Sequence, residues 1–288
     1  DAIGIDPVRL AKEAGVDMFN ISGHYHSDMQ NEAAKIKKML PENVAVYTEL
    51  HYVNARQNRK IPFAREPDGS VTLFYDARDI PADAKTLWVL RRTSDQALIT
   101  SAHMAYARGV DGLSFFNFQY YRGTRYPGDV YGTPHEPPYH LFKKLRDKEF
   151  VAGENQYYFL GYLNTPLVKS RPFHQLFKPG VTQTMLLDMA PPTGGWHKDG
   201  RLRIQSMESL KGSQWSVSFN GVKLEQTDDV SEPYPNPYDT GVGAPDNYKA
   251  FILPAALVKD GENKIAVTMK KGGAVRLFYL DIALPAGE

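Results

Sequence analysis

Residues 93–121, TSDQALITSAHMAYARGVDGLSFFNFQYY, form the stretch that decides the fold of the first half of the chain. The apolar periodicity of its first part is typical of a helix, and a Gly-Val-Asp-Gly turn ends that helix. Parallel α/β folds bind ligands at the carboxyl ends of their strands, where polar and aromatic residues follow the strand. Here an apolar strand follows the turn and opens into Asn117, Gln119, Tyr120 and Tyr121. The stretch therefore predicts a helix, a strand and a ligand site at the carboxyl end of that strand.

Composition excludes two classes of partner. The chain has 288 residues, of which 42% are hydrophobic and 23% charged, so it can bury a sizeable core, and its length favours two domains. Its 34 basic and 33 acidic residues leave a net charge of +1, without the Lys/Arg blocks that nucleic-acid binders carry. No run approaches the roughly 18 apolar residues of a membrane span. We therefore expect neither a nucleic-acid partner nor a membrane span.

Missing residue types and motifs exclude several chemistries. The sequence has no cysteine, which excludes disulfides, thiolate metal sites and a cysteine nucleophile. It contains no P-loop, G-x-G-x-x-G, G-x-S-x-G or H-E-x-x-H pattern, which argues against nucleotide-dependent, serine-hydrolase and zincin chemistry. No cofactor is predicted. The chain begins at Asp1 in the middle of a pattern, without methionine or signal peptide, and we expect a fragment or a processed form.

The first half alternates between strand and helix patterns. Such alternation predicts parallel βα units with right-handed crossovers. Residues 61–80 interrupt it, because an Asp-Gly turn between alternating segments predicts a β-hairpin insertion. About four units are predicted, whereas a closed barrel needs eight, so an open four-stranded sheet is the alternative. The predicted strands are residues 16–22, 44–52, 86–92 and 112–118, and the helices are residues 6–15, 31–40, 95–108 and 138–146.

After about Glu154 the helical periodicity disappears, and short β-rich runs separated by turn residues take over. Their spacing is typical of a β-sandwich. The sequence thus predicts two domains, residues 1–153 and 154–288. The predicted strands of the second domain are residues 184–189, 201–207, 214–219, 250–253, 263–269 and 275–283.

Two stretches carry a resemblance to known proteins. The step from helix to GVDGLSFFNF resembles the last βα step of barrel-type glycoside hydrolases, and LFKKLRDKEFVAGENQYYFLGY resembles the exit from their last helix. SFNGVKLE and LPAALVKDGENKIAVTMKKG resemble jelly-roll or carbohydrate-module sandwiches that often follow glycosidase domains. The resemblance implies an α/β plus all-β fold: strands five to eight of a TIM-type (β/α)8 barrel, then a jelly-roll-like β-sandwich. A missing N-terminal segment or a second chain would complete the barrel.

Glu49 is the candidate catalytic residue. Side chains alternate along a strand, so one face of VAVYTELHY should pack under helices while Glu49 and His51 point toward the barrel axis at the strand's carboxyl end. A carboxylate there suits acid/base, nucleophilic or sugar-binding roles, and His51 is predicted to contact substrate. The alternative is a structural salt bridge. The predicted packing face consists of Val44, Val46, Thr48 and Leu50, and the predicted inward face of Ala45, Tyr47, Glu49 and His51.

The same alternation in VDMFNISGHYH places Asn20, Ser22 and His24 on the inward face. His24 is predicted to contact substrate beside Glu49. His24, His26 and Asp28 could also bind a metal, but H-x-H is a weak motif, and ordinary hydrogen-bonding histidines are the alternative. No metal site is therefore assigned.

Further candidates end the last two strands. Asn117, Gln119 and Tyr121 are predicted to share a face and to contact sugar hydroxyls beside an aromatic platform, unless the loop packs on its own aromatic rings. Arg91 and Arg92 end the preceding strand, and an inward arginine would suit an anionic sugar. Pairing of that arginine with Glu49 or with a helix terminus is the alternative.

The resemblance implies a glycoside hydrolase that cleaves O-glycosidic bonds with carboxylates, and a periplasmic or secreted location suits such a protein. The chain departs from that pattern in one respect. The strand that would be number seven, TLWVLRR, ends in arginines and carries no carboxylate, whereas the common mechanism needs two. A non-catalytic glycan-binding or structural protein is therefore the second hypothesis. A metal-dependent hydrolase using His24, His26 and Asp28 is the third.

Overall fold

A computed structural model gives the fold and describes residues 6–23, 27, 29, 32–65, 71–74, 77–122, 134–162, 173, 176–238 and 245–287. The helices are α1 (Pro7–Ala14), α2 (Ala33–Met39), α3 (Asp95–Ala107), α4 (Tyr139–Phe142) and α5 (Lys148–Gly153). The strands of the first half are β1 (Met18–Ile21), β2 (Ala45–His51), β3 (Val53–Arg65), β4 (Val71–Leu73), β5 (Lys85–Arg92) and β6 (Gly112–Phe116). Those of the second half are β7 (Gln156–Gly161), β8 (Thr182–Met189), β9 (Gly200–Ser206), β10 (Gln214–Phe219), β11 (Val222–Lys223), β12 (Gln226–Thr227), β13 (Tyr248–Leu253), β14 (Gly261–Lys271) and β15 (Leu277–Leu284).

Local capping explains where the helices begin and end. The side chain of Asp6 accepts hydrogen bonds from the first turn of α1, and Gly15 ends that helix in the left-handed conformation with φ of 70°. Ser94 caps α3, and Asp147 caps α5. The helices predicted at residues 6–15, 31–40 and 95–108 are confirmed within about two residues.

The parallel sheet has three strands in the order β1-β2-β6. The prediction that residues 86–92 form a further parallel strand is wrong, because β5 pairs antiparallel with β3. The reason is that only one residue separates the end of β2 from the start of β3. The chain thus continues from the parallel sheet into β3, which pairs antiparallel with β5 on one edge and with β4 on the other. The predicted hairpin is present as β3 and β4, with its turn outside the described residues.

No closed barrel is present in the part of the chain that the structure describes, which consists of several sheets and a few helices. The prediction that strands from another segment or chain complete a barrel stays a prediction. Within the same residues, no helix combines the length and the apolar character that crossing a membrane requires.

The second half consists of two antiparallel sheets, ordered β11-β10-β14-β8 and β12-β13-β9-β15-β7. Their facing side chains form one hydrophobic core, and the period-two burial of β14 shows how the sequence alternates between core and solvent. The six strands predicted here are confirmed, with ends that shift by a few residues. β7 was not predicted as a strand, because its sequence was interpreted as the exit from a barrel helix.

The two halves meet along a close seam. α3 and β3 both contact β7, and Asn54 in β3 donates a 2.8 Å hydrogen bond to the hydroxyl of Tyr279 in β15. A Cβ atom on Gly161 would lie 1.8 Å from the carbonyl oxygen of Asn54, so only glycine permits this approach. The sandwich core continues into Ala97 and Met104 of α3. The domain boundary at residues 153 and 154 stays a prediction.

Candidate functional site

The parallel sheet has one packed face and one polar face. In β2, Val46, Thr48 and Leu50 are buried, whereas Tyr47 and Glu49 between them are half-buried. This is the predicted alternation. β1 follows it as well, since Phe19 and Ile21 pack into the core beneath the helices while Asn20 is exposed. The residues on the polar face are therefore those that the sequence predicted, except that His51, the last residue of β2, is buried.

Glu49 lies near the carboxyl end of the central strand, between serines that follow or belong to the two neighbouring strands. Ser22, directly after β1, donates a 2.6 Å hydrogen bond from Oγ to Oε1 of Glu49. On the other side, Ser114 of β6 is the register partner of Glu49. Its Oγ donates a 2.7 Å hydrogen bond to Oδ1 of Asn20 in β1.

The hydrogen bond between Ser114 and Asn20 passes over the middle strand. Adjacent strands are about 4.8 Å apart, so β1 and β6 would be about 10 Å apart in a flat sheet. The side chains on this face therefore lean toward one another over β2. Asn20, Ser22, Glu49 and Ser114, joined in two hydrogen-bonded pairs on this face, are called the polar patch.

His51 ends β2 and is buried, with 1% of its surface exposed. Its backbone is held at both polar atoms: the N–H donates to Ser27 Oγ at 2.8 Å, and the carbonyl accepts from Thr93 Oγ1 at 2.8 Å. Its Nε2 lies 3.4 Å from Nδ2 of Asn117. The structure thus brings two of the predicted substrate contacts, His51 and Asn117, together at one end of the sheet.

Phe116 is a site residue that the sequence interpretation missed. The residue is 39% exposed, and the centre of its ring lies 5.4 Å from the centre of the His51 ring. Alternation along β6 places it on the side of Ser114, because Leu113 and Phe115 pack into the core under α3. That alternation was available in the sequence. It would have identified Phe116 as the aromatic group beside the polar patch.

The residues after Phe116 differ from the prediction. Asn117 has φ of 61°, which ends the strand, and residues Phe118–Arg122 form a 3₁₀ helix. Gln119 is exposed. Tyr121 is fully buried, with its hydroxyl donating a 2.5 Å hydrogen bond to the carbonyl of Thr93. Burial raises the pKa of the Tyr121 phenol well above its ordinary value. Asn117, Gln119 and Tyr121 therefore do not share a face, as a continuing strand would have required.

Arg91 lies in a buried charge network, away from the polar patch. It is 1% exposed, donates a 2.9 Å hydrogen bond to the Tyr157 hydroxyl and pairs with Glu232. The neighbouring Arg203 pairs with both Glu232 and the buried Asp281. Burial alone would lower the pKa of Arg203, but the adjacent Asp281 outweighs it and raises the pKa. Arg91 thus has its carboxylate partner within the protein, and that partner is not Glu49.

Three predicted positions lie outside the described residues: His24, His26 and Asp28. Across the residues that are described, no group of three or more His, Asp or Glu side chains is arranged to hold a metal ion. Glu49 is the only carboxylate on β1, β2 and β6.

Comparison with solved structures finds glycoside hydrolases at low identity. A β-porphyranase of glycoside hydrolase family 86 from the human gut bacterium Bacteroides plebeius is 9% identical, with a TM-score of 0.29 over 84% of this chain and 32% of that one. Wild-type BuGH86 in complex with neoagarooctaose is 10% identical, with a TM-score of 0.29 over 83% of this chain and 30% of that one.

A third match is dimeric latent PorU from Porphyromonas gingivalis, 15% identical, with a TM-score of 0.26 over 46% of this chain and 13% of that one. This chain spans about a third or less of the length of the structures it matches. No protein-family model matches the sequence, and no curated protein matches it. The proposal below rests on the geometry of the site itself.

Proposed function

We propose that this protein acts on glycans and hydrolyses O-glycosidic bonds of a polysaccharide or oligosaccharide, with Glu49 as a catalytic carboxylate. One observation carries the proposal. Glu49 is a half-buried carboxylate near the carboxyl end of the central parallel strand, hydrogen-bonded by Ser22 within a polar patch that ends at an exposed aromatic ring. Parallel α/β sheets place catalytic groups at this end.

The surroundings of Glu49 suit a sugar ring. A pyranose offers hydroxyl groups around its rim and an apolar C–H face, so it is bound by hydrogen-bonding side chains beside an aromatic surface. Asn20, Ser22 and Ser114 supply the hydrogen-bonding side chains, and Phe116 supplies the aromatic surface. Asn117 and Gln119, which follow Phe116, are proposed as further contacts.

The predicted residues away from this surface have different proposed roles. His51 and Tyr121 are buried, and each forms a hydrogen bond with Thr93. We assign them to support of the site. Arg91 lies in the buried charge network, and we assign it a supporting role as well. His24 follows β1 in the sequence and is proposed as a substrate contact.

Hydrolysis by the common mechanism needs a second carboxyl group. In the retaining form, a Glu49 oxygen attacks the anomeric carbon while a second carboxylic acid protonates the departing oxygen, and water then releases the sugar from Glu49. The two groups lie about 5 Å apart in retaining enzymes and about 6.5–9.5 Å apart in inverting ones. The second group must come from outside β1, β2 and β6, whose only acid is Glu49.

The test is a screen of neutral and acidic polysaccharides with the unmutated protein, Glu49→Gln and Glu42→Gln. Glu42 is an exposed residue of the turn before β2 and serves as the matched control. We expect Glu49→Gln to lower kcat by about 10²–10⁴-fold with binding retained, because Gln keeps the shape but has no ionisable group. Glu42→Gln should leave cleavage unchanged. Undiminished cleavage by Glu49→Gln would contradict the proposal.

A non-catalytic glycan-binding protein is the second candidate, favoured by the single carboxylate on the three strands. In that case the unmutated protein would retain a polysaccharide in affinity electrophoresis but release no reducing ends from it. Phe116→Ala should weaken this retention, whereas Glu49→Gln should change it little.

A further inference from the structure

A segment of the second half reaches across the seam to the first half. We call residues 228–238, between β12 and β13, the strap. Two arginines of β9 hold its backbone: Arg201 donates to the carbonyl of Ser231 at 2.8 Å, and Arg203 donates to the carbonyls of Val230 and Ser231 at 3.0 and 2.8 Å. The strap therefore has a defined path over the five-stranded sheet.

The first anchor of the strap on the other half is Glu232. One of its oxygens accepts from Arg203 at 3.0 Å, and the other accepts from Arg91 of β5. Both arginine side chains are 1% exposed, whereas the Glu232 side chain is 32% exposed. Asp281 neutralises one of the two buried guanidinium groups, and Glu232 neutralises the other. A carboxylate at this position is thus required by charge as well as by geometry.

The second anchor is Tyr238. It is 7% exposed and belongs to the core beneath the parallel sheet. Its ring lies 5.0 Å from the Tyr121 ring, and the guanidinium carbon of Arg92 lies 5.9 Å from its centre. The strap thus contacts both arginines at the end of β5.

Those arginines directly precede Thr93, which holds the end of β2. The N–H of Thr93 donates to the carbonyl of Tyr52 at 2.8 Å, and its hydroxyl donates to the carbonyl of His51 at 2.8 Å. Its own carbonyl accepts the Tyr121 hydroxyl. Glu49 is two residues before His51 on the same strand. A continuous set of contacts therefore runs from Glu232 through Arg91 and Thr93 to the strand that carries the candidate carboxylate.

We propose that Glu232 is a positioning residue: its carboxylate, bound between Arg91 and Arg203, fixes the end of β5 and thereby the carboxyl end of β2. The sandwich is then a structural part of the candidate site. The inference rests on the proposed function only in the role given to Glu49. The inference also predicts that the Glu232→Ala variant binds a small carboxylate anion between Arg91 and Arg203.

The test measures amide hydrogen exchange in the unmutated protein, Glu232→Ala, Glu232→Gln and Glu262→Ala. Glu262 is an exposed residue of β14 and serves as the control. Both changes at Glu232 should speed exchange at the amides of Thr93 and His51 by about tenfold or more, as expected for a lost hydrogen bond to a charged group. Amides of β10 and β14 should be unaffected, and Glu262→Ala should resemble the unmutated protein.

Sodium formate distinguishes the positioning role of the Glu232 carboxylate from a general loss of stability. In Glu232→Ala it should restore protection at Thr93 and His51, whereas sodium chloride at equal ionic strength should not. Glu232→Gln fills the space and should not respond to formate. Faster exchange spread evenly over both halves, unchanged exchange, or chloride as effective as formate would overturn the proposal.

The two proposals can fail separately. If the unmutated protein neither binds nor cleaves a polysaccharide, the proposed function fails while the exchange result stands. If it cleaves, Glu232→Ala should lose kcat in a way that formate partly restores, with KM changed less. Should Glu232→Ala fold only with formate present, the exchange rates of Glu232→Gln decide whether the effect reaches Thr93 and His51.

Discussion

The polar patch around Glu49 and the charge network around Asp281 are each centred on a carboxylate, but Glu49 is more accessible to solvent than Asp281. Glu49 is half-buried and accepts from Ser22, a neutral hydroxyl. Asp281 is 1% exposed and receives two hydrogen bonds from Arg203, at 3.0 and 2.8 Å, and one from the Tyr157 hydroxyl at 3.0 Å. A carboxylate with every neighbour supplied by the protein serves the fold, whereas one on an accessible polar patch is available to a ligand.

The largest expected effect tests this difference directly. Asp281→Asn removes one charge of a buried pair and leaves Arg203 without its main partner, so we expect the free energy of unfolding to fall by about 3–5 kcal/mol. Glu49→Gln should cost about 1 kcal/mol or less, since the hydrogen bond from Ser22 that it alters is exposed. Denaturant titration of both variants measures this. Equal losses would remove the distinction between the two clusters.

A smaller effect is expected at the seam between the two regions. Gly161→Ala places a methyl group 1.8 Å from the Asn54 carbonyl oxygen, and the backbone must move, at a cost of about 1–3 kcal/mol. Gly153→Ala is the matched control, because its Cβ would meet nothing within 4 Å and the residue is helical. That variant should be neutral or more stable by about 0.4–1 kcal/mol. Thermal unfolding measures the stability of both variants. If Gly161→Ala were as stable as the unmutated protein, the close contact between Gly161 and Asn54 would be contradicted.

The smallest effect is a pH dependence at the same seam. His103 of α3 contacts the carbonyls of Ala190 and Pro191 through Nε2 at 3.3 and 3.0 Å, and burial lowers the pKa of His103 from its ordinary value of 6.5. The unfolded chain therefore takes up the proton first as the pH falls. Stability from this residue is complete above about pH 6.5 and declines below it, toward the lowered pKa of the folded state.

Unfolding titrations between pH 7.5 and pH 5, in about half-unit steps, measure that slope. His103→Gln should reduce it, because glutamine has no imidazole to take up a proton. An unchanged slope in His103→Gln would assign the pH dependence to other groups. Arg108 and Asp260 also act on His103, with opposite signs, and the variant leaves them in place.

Alternation along single strands was the most informative part of the sequence. It separated Val46 and Leu50 from Glu49, because burial with period two is a local property that each strand carries by itself. The sandwich strands were predicted from another local signal, short β-rich runs between turn residues. Helix ends were equally local, since Asp6 and Ser94 cap their own helices. The same rule, applied to β6, would have added Phe116 to the site.

What the sequence did not predict depended on distant partners. The strand pattern of β5 is compatible with either sheet, and only its pairing with β3 decides between them. Arg91 was interpreted as a sugar contact, yet its carboxylate partner is Glu232, 141 residues away along the chain. The strand was also expected to continue past Phe116, but Asn117 adopts a left-handed conformation that asparagine tolerates better than most residues.

The hydrogen bond between Asn54 and Tyr279 has a consequence for synthesis on the ribosome. The two residues are 225 positions apart, and at about 5–20 residues per second the second follows the first by about 10–45 s. For about the first half of that interval β7 has not been made, and β15 is absent for all of it. The side of β3 that contacts the second half therefore stays incompletely covered until β15 has emerged, and we expect the nascent chain to bind chaperones until then.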